Sequence, residues 1–161
     1  MDETGRHFDA SGIKAHWWPK KLEAVFINKS RCFSKQYVNN EFVNNDGILS
    51  ENIADHGGLL ASIRAFELDQ FQKSDHHQVA KLPGLEFLTS KQLLLLGYGK
   101  SFCSNTKSKA REWQRKTDTH SPSHERINLA IKHLPMFKDI YQCSPESKLV
   151  NIKKQNKCNL W

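Results

Sequence analysis

The chain has 161 residues, with 24 Lys or Arg against 17 Asp or Glu, so its net charge is +7 at neutral pH. Its hydrophobic content of 38% suffices for one sizeable core, whereas the length is short for two domains. No window reaches the roughly 18 apolar residues that span a bilayer. The N-terminus has neither the basic region nor the apolar region of a signal peptide. Composition therefore excludes a membrane span and a wholly disordered chain, and it predicts a single unit over residues 1–161.

The N-terminal part of the chain predicts a turn followed by a helix. Asp9 and Gly12 suit the first and fourth positions of a type I turn. Pro19 suits the first position of a helix. The apolar face of that helix should carry Leu22, Phe26, Phe33 and Tyr37. An Asn-rich loop that includes Asp46-Gly47 is expected to end it.

A second helix is predicted from Ser50, whose hydroxyl can cap it, to about Phe71. Its apolar stripe consists of Leu59, Ile63 and Phe66. Gly57 and Gly58 lie inside this helix, where each costs about 1 kcal/mol relative to Ala. We therefore expect another backbone to pack closely against the two glycines.

Two more helices are predicted further along the chain. After a loop that includes the polar residues 73–78, Thr89 and Gln92 form a capping box before four consecutive Leu, which indicates a fully buried helix. The basic residues 104–119 are expected to form a long surface loop. Ser121-Pro122 should open a last helix that stops before Pro135. The sequence thus predicts a mainly α-helical unit without internal repeats.

The four cysteines are far apart, without a C-x-x-C pair, so zinc-ribbon and thioredoxin-like sites are disfavoured. Their spacing leaves all three disulfide pairings open. They are Cys32, Cys103, Cys143 and Cys158.

The segment most informative about function runs from Ser50 to Gly58. Glu51 and Asp55 are four residues apart, so a helix places both carboxylates on one face. Like charges at this spacing destabilise a helix by about 0.2–0.5 kcal/mol, which the helix N-terminus offsets in part. By spacing alone, two solvated acids near a helix cap are the simpler interpretation. The alternative is a cation site with Glu51 as a ligand and Asp55 holding a partner ligand.

Several motifs, taken in order, resemble the neprilysin and endothelin-converting-enzyme family of zinc metallopeptidases. Glu51-Asn52-Ile53-Ala54-Asp55-x-Gly57-Gly58 is similar to the family's third-zinc-ligand motif. The other matches are Asp2-x-x-Gly5-Arg6-x-Phe8-x-x-x-Gly12 with Trp17-Trp18, Ile63-Arg64-Ala65-Phe66, Leu82-Pro83-Gly84-Leu85, Lys91-Gln92-Leu93, Asp118-x-His120-Ser121-Pro122-x-x-x-Arg126 and Cys158-x-x-Trp161. The resemblance covers nearly the whole chain and implies the C-terminal portion of a thermolysin-like zinc metallopeptidase catalytic domain.

In this family two His and one Glu hold the catalytic zinc and leave a position open for water. The His ligands and the general-base Glu lie on a His-Glu-x-x-His helix. The resemblance implies that Glu51 is the third metal ligand and that Asp55 is the carboxylate bonded to a ligand His. The 161 residues contain no His-Glu-x-x-His motif, and Asp2 to Arg6 match the residues just downstream of it. We therefore expect zinc in the intact family site and not in this chain alone.

His120 and Arg126 match the two remaining functional positions of the family. The resemblance implies that His120 donates to the oxyanion of the transition state and that Arg126 binds a backbone carbonyl of the peptide substrate. From the residues alone, a capping His and a solvated Arg are simpler interpretations. Glu125 stands where relatives usually carry an aromatic residue, and Ser101-Phe102 where they favour larger apolar ones, so the pocket wall departs from the family pattern.

Two other patterns give weaker signals. His120 and His124 have the spacing of a helical metal pair, but Pro122 between them disfavours that geometry. The six Lys or Arg from Lys100 to Lys116 could bind phosphate. Surfaces that bind nucleic acid interleave aromatic with basic residues, but between Lys107 and Lys116 the sequence has only Trp113. A solvated segment is therefore favoured. No nucleic-acid partner is expected.

The resemblance also implies the disulfide pairing. It joins Cys32 to Cys158, whereas Cys103 and Cys143 would pair with cysteines near the start of the family's ectodomain. Two thiols would then stay unpaired within this chain.

The leading hypothesis is a C-terminal fragment of a neprilysin-like zinc metalloendopeptidase that hydrolyses short peptides with a zinc-bound water, inactive as an isolated chain. The resemblance implies peptide substrates, an extracellular or membrane-tethered location, and the N-terminal part of the same peptidase as partner. The alternative is a non-catalytic, basic interaction module derived from the peptidase scaffold.

Overall fold

The computed structural model describes residues 4–37, 46–73, 81–147 and 157–160. Helices dominate these ranges, so the mainly α-helical class is confirmed. They are α1 (Lys20–Tyr37), α2 (Asp46–Lys73), α3 (Ser90–Ser101), α4 (Ser108–Thr117), α5 (Ser123–Lys132) and α6 (Phe137–Tyr141), after a short 3-10 helix at Gly5–His7. The described helices include none with the length and apolarity to cross a membrane.

The predicted N-terminal turn is present. The Gly12 N–H donates to the Asp9 carbonyl at 3.0 Å, and the Asp9 carboxylate accepts the backbone N–H groups of Ser11 and Ile13. Gly12 has φ +74°, a left-handed conformation that glycine adopts without a steric penalty. The turn brings Phe8 and Lys14 together in an isolated antiparallel bridge.

Helix α1 begins where Pro19 predicts, and the Pro19 carbonyl accepts the N–H groups of Leu22 and Glu23. Phe26 and Phe33 are buried as expected, but Leu22 is 50% exposed, so the apolar face starts one turn later than the pattern indicates. The two Phe belong to a first apolar cluster, which joins α1 to α2 and to the C-terminal segment 157–160. Its buried members are Trp18, Phe26, Phe33, Ile53, Cys158 and Leu160.

Helix α2 starts at Asp46, earlier than predicted, so Ser50 lies inside the helix and does not cap it. The Ser50 hydroxyl is buried without a hydrogen-bond partner among the described residues. The expected close approach of another backbone is wrong at Gly58, because nothing lies within 4 Å of the position that a Cβ would occupy. The predicted loop residues 38–45 and 74–80 lie outside the described ranges.

Helix α2 is the central element, because it contacts α1, α3 and α5. Leu59 and Ile63 of its predicted stripe are buried. They belong to a second cluster, formed by Leu59, Ile63, Leu95, Ala130, Ile131 and Leu134. This packing holds α5 against α2 and so sets the distance between the candidate site residues of the two helices.

Helix α3 starts at the predicted capping box. Thr89 Oγ1 accepts the Gln92 N–H at 3.2 Å, and Gln92 Oε1 accepts the Thr89 N–H at 2.8 Å. The expectation of a fully buried helix is wrong, since Leu95 is buried but Leu96 is 51% exposed. One face of α3 therefore remains free of the described core.

The predicted surface loop over residues 104–119 is wrong in its C-terminal part, which forms α4. This helix buries no residue, and its Trp113 is exposed, so it adds no side chain to the two apolar clusters. Ion pairs accompany it instead: Lys116 pairs with Glu112 one turn earlier, and Arg115 pairs with Glu125. Helix α5 stops before Pro135 as predicted, and α6 was not expected.

The disulfide implied by the resemblance is confirmed. Cys32 and Cys158 are bonded with a Cα–Cα distance of 5.5 Å. The Lys29 ammonium also donates to the Leu160 carbonyl at 3.1 Å, so the C-terminal segment is fixed to α1 twice. Cys103 and Cys143 are free, as expected.

Candidate functional site

The four candidate residues from the sequence come together as two acid–base pairs. Glu51 and Asp55 project from successive turns of α2, and Arg126 lies on α5. His120 lies in the short connection between α4 and α5. Because the second apolar cluster packs α5 onto α2, the two carboxylates face the imidazole and the guanidinium.

The first pair joins Glu51 and His120. His120 Nε2 lies 3.1 Å from Glu51 Oε2, and both side chains are about 40% exposed. On its other side, His120 Nδ1 lies 3.0 Å from Asp118 Oδ1, which also accepts the His120 backbone N–H at 2.9 Å. These bonds from His120 hold the pKa of Asp118 below its usual range. The imidazole is thus oriented by a carboxylate at each nitrogen.

The second pair joins Asp55 and Arg126 in a two-pronged ion pair. Arg126 Nε donates to Asp55 Oδ2 at 2.6 Å and an Nη atom donates to Oδ1 at 2.7 Å. The side chains are only 11% and 20% exposed, respectively, for Asp55 and Arg126. The hydrogen bonds to Asp55 raise the pKa of Arg126, which secures its charge. The simpler interpretation of Arg126 as a solvated helix charge is therefore wrong.

Aromatic residues of α3 and its C-terminus support Arg126. Its guanidinium lies 4.6 Å from the centre of the Phe102 ring, a cation–π distance. The Tyr98 hydroxyl donates to the Arg126 carbonyl at 3.2 Å, and burial raises the pKa of Tyr98 above its ordinary value. This support was not predicted from the sequence, although the four-residue spacing of Tyr98 and Phe102 places both rings on one face of a helix.

A buried hydrogen bond fixes the His120 connection to α2. The Ser121 hydroxyl donates to the Asn52 side-chain carbonyl at 3.1 Å, one residue along each segment from the Glu51–His120 pair. Both residues were part of the sequence motifs, but neither was assigned a role. Their bond means that His120 cannot move away from Glu51 without breaking a buried contact.

The residues present do not by themselves fit a zinc ion. The donor set here is one carboxylate with a neighbouring imidazole, whereas zinc sites use three or four protein ligands. Within the described ranges no group of three or more His, Cys, Asp or Glu side chains has an arrangement that could hold a metal. The simpler interpretation of Asp55 as a solvated acid is also wrong, since Arg126 binds both of its oxygens.

Two open concave surfaces border the site. A groove of about 570 Å³ between α2 and α3 runs from Asp55 along the small residues Ala54, Gly58, Ser62 and Gly97. A larger cavity of about 840 Å³ lies beyond Phe102, and Leu96, Arg111, His124 and Ile127 are among its lining residues. His124 lines that cavity, whereas His120 contacts Glu51, so the two are not a metal pair.

Removing the charge of Asp55 should destabilise the fold. We expect Asp55→Asn to lower the free energy of unfolding by about 1–3 kcal/mol, because Arg126 would keep its charge in a mostly buried position after losing its hydrogen-bonded carboxylate. Urea denaturation at neutral pH measures the change. The control is Glu67→Gln, which removes an exposed ion pair with Lys91 worth about 0–1 kcal/mol. Equal losses in the two variants would contradict this account of Asp55.

Curated relatives match the chain from end to end. It is 34% identical over 166 residues to Neprilysin-3 of Drosophila melanogaster and 33% identical over 165 residues to endothelin-converting enzyme 1 of Mus musculus. Each match covers 100% of this chain and 20% of the relative. The chain thus spans about a fifth of the length of these relatives.

Solved structures share the fold. The Haemonchus galactose containing glycoprotein complex is 30% identical with a TM-score of 0.85, over 99% of this chain and 27% of that one. The zinc metalloprotease Zmp1 of Mycobacterium tuberculosis, in complex with an inhibitor, has a TM-score of 0.83 at 20% identity, over 99% of this chain and 25% of its own, and so shows the fold alone.

The family model that describes Peptidase family M13 matches residues 1–158. This match covers the two acid–base pairs and both cysteines of the disulfide. The motifs that resembled neprilysin and endothelin-converting enzymes are therefore confirmed as signs of common descent. The chain belongs to peptidase family M13, a family of zinc metallopeptidases.

Proposed function

We propose that this chain is the C-terminal part of a single M13 catalytic domain that hydrolyses short peptides. In this proposal residues 1–161 supply one metal ligand and the groups that contact the substrate and transition state. The His-Glu-x-x-His helix, with two ligands and the general base, belongs to the N-terminal part of the same peptidase. Zinc, held by both parts, would supply the activated water.

The observation that carries the proposal is the convergence of Glu51, Asp55, His120 and Arg126. The partners of the second pair, Asp55 and Arg126, are 71 positions apart in the sequence. Each of the four also lies in a sequence motif that resembles the neprilysin and endothelin-converting-enzyme family. The Asp55–Arg126 pair also stabilises the fold, but the Glu51–His120 pair is about 40% exposed and adds little stability, so a role in the site explains it better.

The open groove beside Asp55 supports the proposed position of the missing helix. Small side chains on α2 and α3 let another backbone approach closely, and no described residue fills the space at Gly58. A helix seated there would bring its His side chains near Glu51 and Asp55. We infer that this partner is the preceding segment of the same peptidase, and that Asp55 then orients one of its His ligands.

His120 and Arg126 would act on the substrate. When both ring nitrogens carry a proton, Nδ1–H is held by Asp118 and the oriented Nε2–H could donate to the oxyanion once a metal engages Glu51. Arg126, fixed by Asp55 and Phe102, can offer a free N–H to a peptide carbonyl with little further ordering.

We infer an extracellular or membrane-tethered setting, which the Cys32–Cys158 disulfide favours because such bonds persist in oxidising compartments.

The isolated chain is expected to be inactive. Residues 1–161, purified with added zinc and assayed on a short hydrophobic peptide, should show no chelator-sensitive hydrolysis, because two ligands and the general base are missing. Turnover that a chelator abolishes, and that Glu51→Gln also abolishes, would contradict this expectation.

A chimaera tests the proposal in a complete domain. Here this chain replaces the aligned C-terminal segment of Neprilysin-3 from Drosophila melanogaster. We expect peptide hydrolysis that a chelator abolishes, and unmodified Neprilysin-3 serves as the positive reference. A chimaera that folds and stays inactive would contradict the proposal and favour the alternative, a non-catalytic basic interaction module.

A further inference from the structure

Two histidines are buried at the junction of α1, α2, α5 and the C-terminal segment. His56 of α2 and His133, which follows α5, are each 3% exposed. Their ring centres lie 6.2 Å apart. Phe33 of α1 contacts both rings, at 5.3 Å from His56 and 6.2 Å from His133. Neither histidine takes part in the proposed peptidase site.

The His133 ring holds the C-terminal segment by a buried hydrogen bond. Its Nδ1 accepts the backbone N–H of Cys158 at 2.9 Å. A nitrogen that accepts a hydrogen bond carries no proton, so the neutral ring must carry its proton on Nε2. Within the described ranges, His133 Nε2 and His56 Nδ1 are buried without partners. The bond to Cys158 therefore exists only while His133 is neutral.

The surroundings of His133 oppose a positive charge on it. His56 faces it from α2, Lys132 from the end of α5 and Lys157 from the C-terminal segment. Helix α1 contributes the ring of Phe33. Burial is the main cause that lowers the pKa of His133, to about 4, and the neighbouring bases add to it. Burial also lowers the pKa of His56.

We propose that His133 is an acid-sensitive latch for the C-terminal segment. A proton taken from solvent by Nδ1 converts the acceptor into a donor, and Cys158 N–H loses its partner. The C-terminal segment then loses its contact with His133 at the end of α5, while the Cys32–Cys158 bond keeps Cys158 against α1. Opening exposes Leu160, which is 5% exposed in the closed state. The latch would loosen this region in an acidic compartment.

The pH window follows from the lowered pKa of His133, about 4 against an ordinary value of 6.5. In an opened or unfolded state the ring binds a proton more tightly than in the closed state. The closed state is therefore fully favoured above pH 6.5 and loses its advantage as the pH falls. Each pH unit below 6.5 shifts the equilibrium toward opening by up to about tenfold. The total shift, reached once the pH lies below 4, is about 300-fold.

Amide hydrogen exchange on the full chain, with its disulfide intact, tests the latch. We expect the protection factor of the Cys158 amide, corrected for intrinsic exchange, to fall by up to about tenfold per unit between pH 6 and 4.5. In His133→Asn the side-chain carbonyl can still accept the Cys158 N–H but does not titrate, so protection should stay nearly constant. The exposed His16→Asn variant is the matched control and should behave like the unmodified chain.

Two results would overturn the latch: a constant protection factor in the unmodified chain, or the same fall in His133→Asn. If His133→Asn does not fold, proton NMR titration of the unmodified chain decides. A His133 ring that titrates near pH 4, with the Cys158 amide signal changing in parallel, supports the latch. A ring that titrates near pH 6.5 in the folded chain, or an amide signal that does not change with it, contradicts it.

Discussion

Removal of the Cys32–Cys158 disulfide, by the double substitution Cys32→Ser with Cys158→Ser, is expected to lower the free energy of unfolding by about 4–5 kcal/mol. The bond joins residues 126 positions apart, so its loss removes a restraint on most of the 161-residue chain in the unfolded state. Chain-entropy loss grows with loop length, which puts this bond at the upper end of the usual range. Urea denaturation of the oxidised chain and the variant measures the difference.

The free cysteines provide the control for this measurement. Cys103→Ser with Cys143→Ser removes two thiols and no bond, so the free energy of unfolding should change by less than about 0.5 kcal/mol. A loss below about 1 kcal/mol on removing the disulfide would contradict the account. It would mean that the cross-link restricts the unfolded chain much less than its loop length implies.

In the chimaera with Neprilysin-3, His120→Ala is expected to lower kcat by about 100- to 1,000-fold with little change in KM. The reason is that an oxyanion donor acts on the charge that develops in the transition state and not on the bound peptide. Steady-state kinetics on a short hydrophobic peptide separate the two constants. His120 is well suited to this role because Asp118 fixes its ring from the opposite side.

His124→Ala is the matched control for His120→Ala, since His124 is four residues away, exposed, and paired only at 3.7 Å with Glu125. It should leave kcat within a few-fold of the unmodified chimaera. A His120→Ala variant that raises KM and keeps kcat would assign His120 to substrate binding. Equal kinetics in both variants would remove His120 from the proposed site.

Sequence patterns predicted the elements whose signals are local. The capping box at Thr89 and Gln92 specifies the start of α3 by itself, because both bonds lie within four residues. Helix α4 was missed because it buries no residue and one of its ion pairs, Arg115 with Glu125, reaches beyond the helix. The start of α2 was misplaced because Ser50 has the chemistry of a cap, although the chain is already helical from Asp46.

The candidate site was predictable as a set of residues but not as an arrangement. Resemblance singled out Asp55 and Arg126 separately, and no local rule joins residues 71 positions apart. Their pairing depends on the packing of α5 on α2, which the second apolar cluster determines. The burial of His56 beside His133 could not be predicted for the same reason, since one lies on α2 and the other directly follows α5.

The zinc content of the purified chimaera tests most directly the claim that this chain supplies the third metal ligand. The account predicts about one zinc per chimaera, with hydrolysis of a short peptide, and loss of both in Glu51→Gln. The control Glu67→Gln, on the exposed part of the same helix, should keep zinc and activity. A Glu51→Gln chimaera that retains zinc and full activity would contradict the assignment of Glu51 and with it the proposed function.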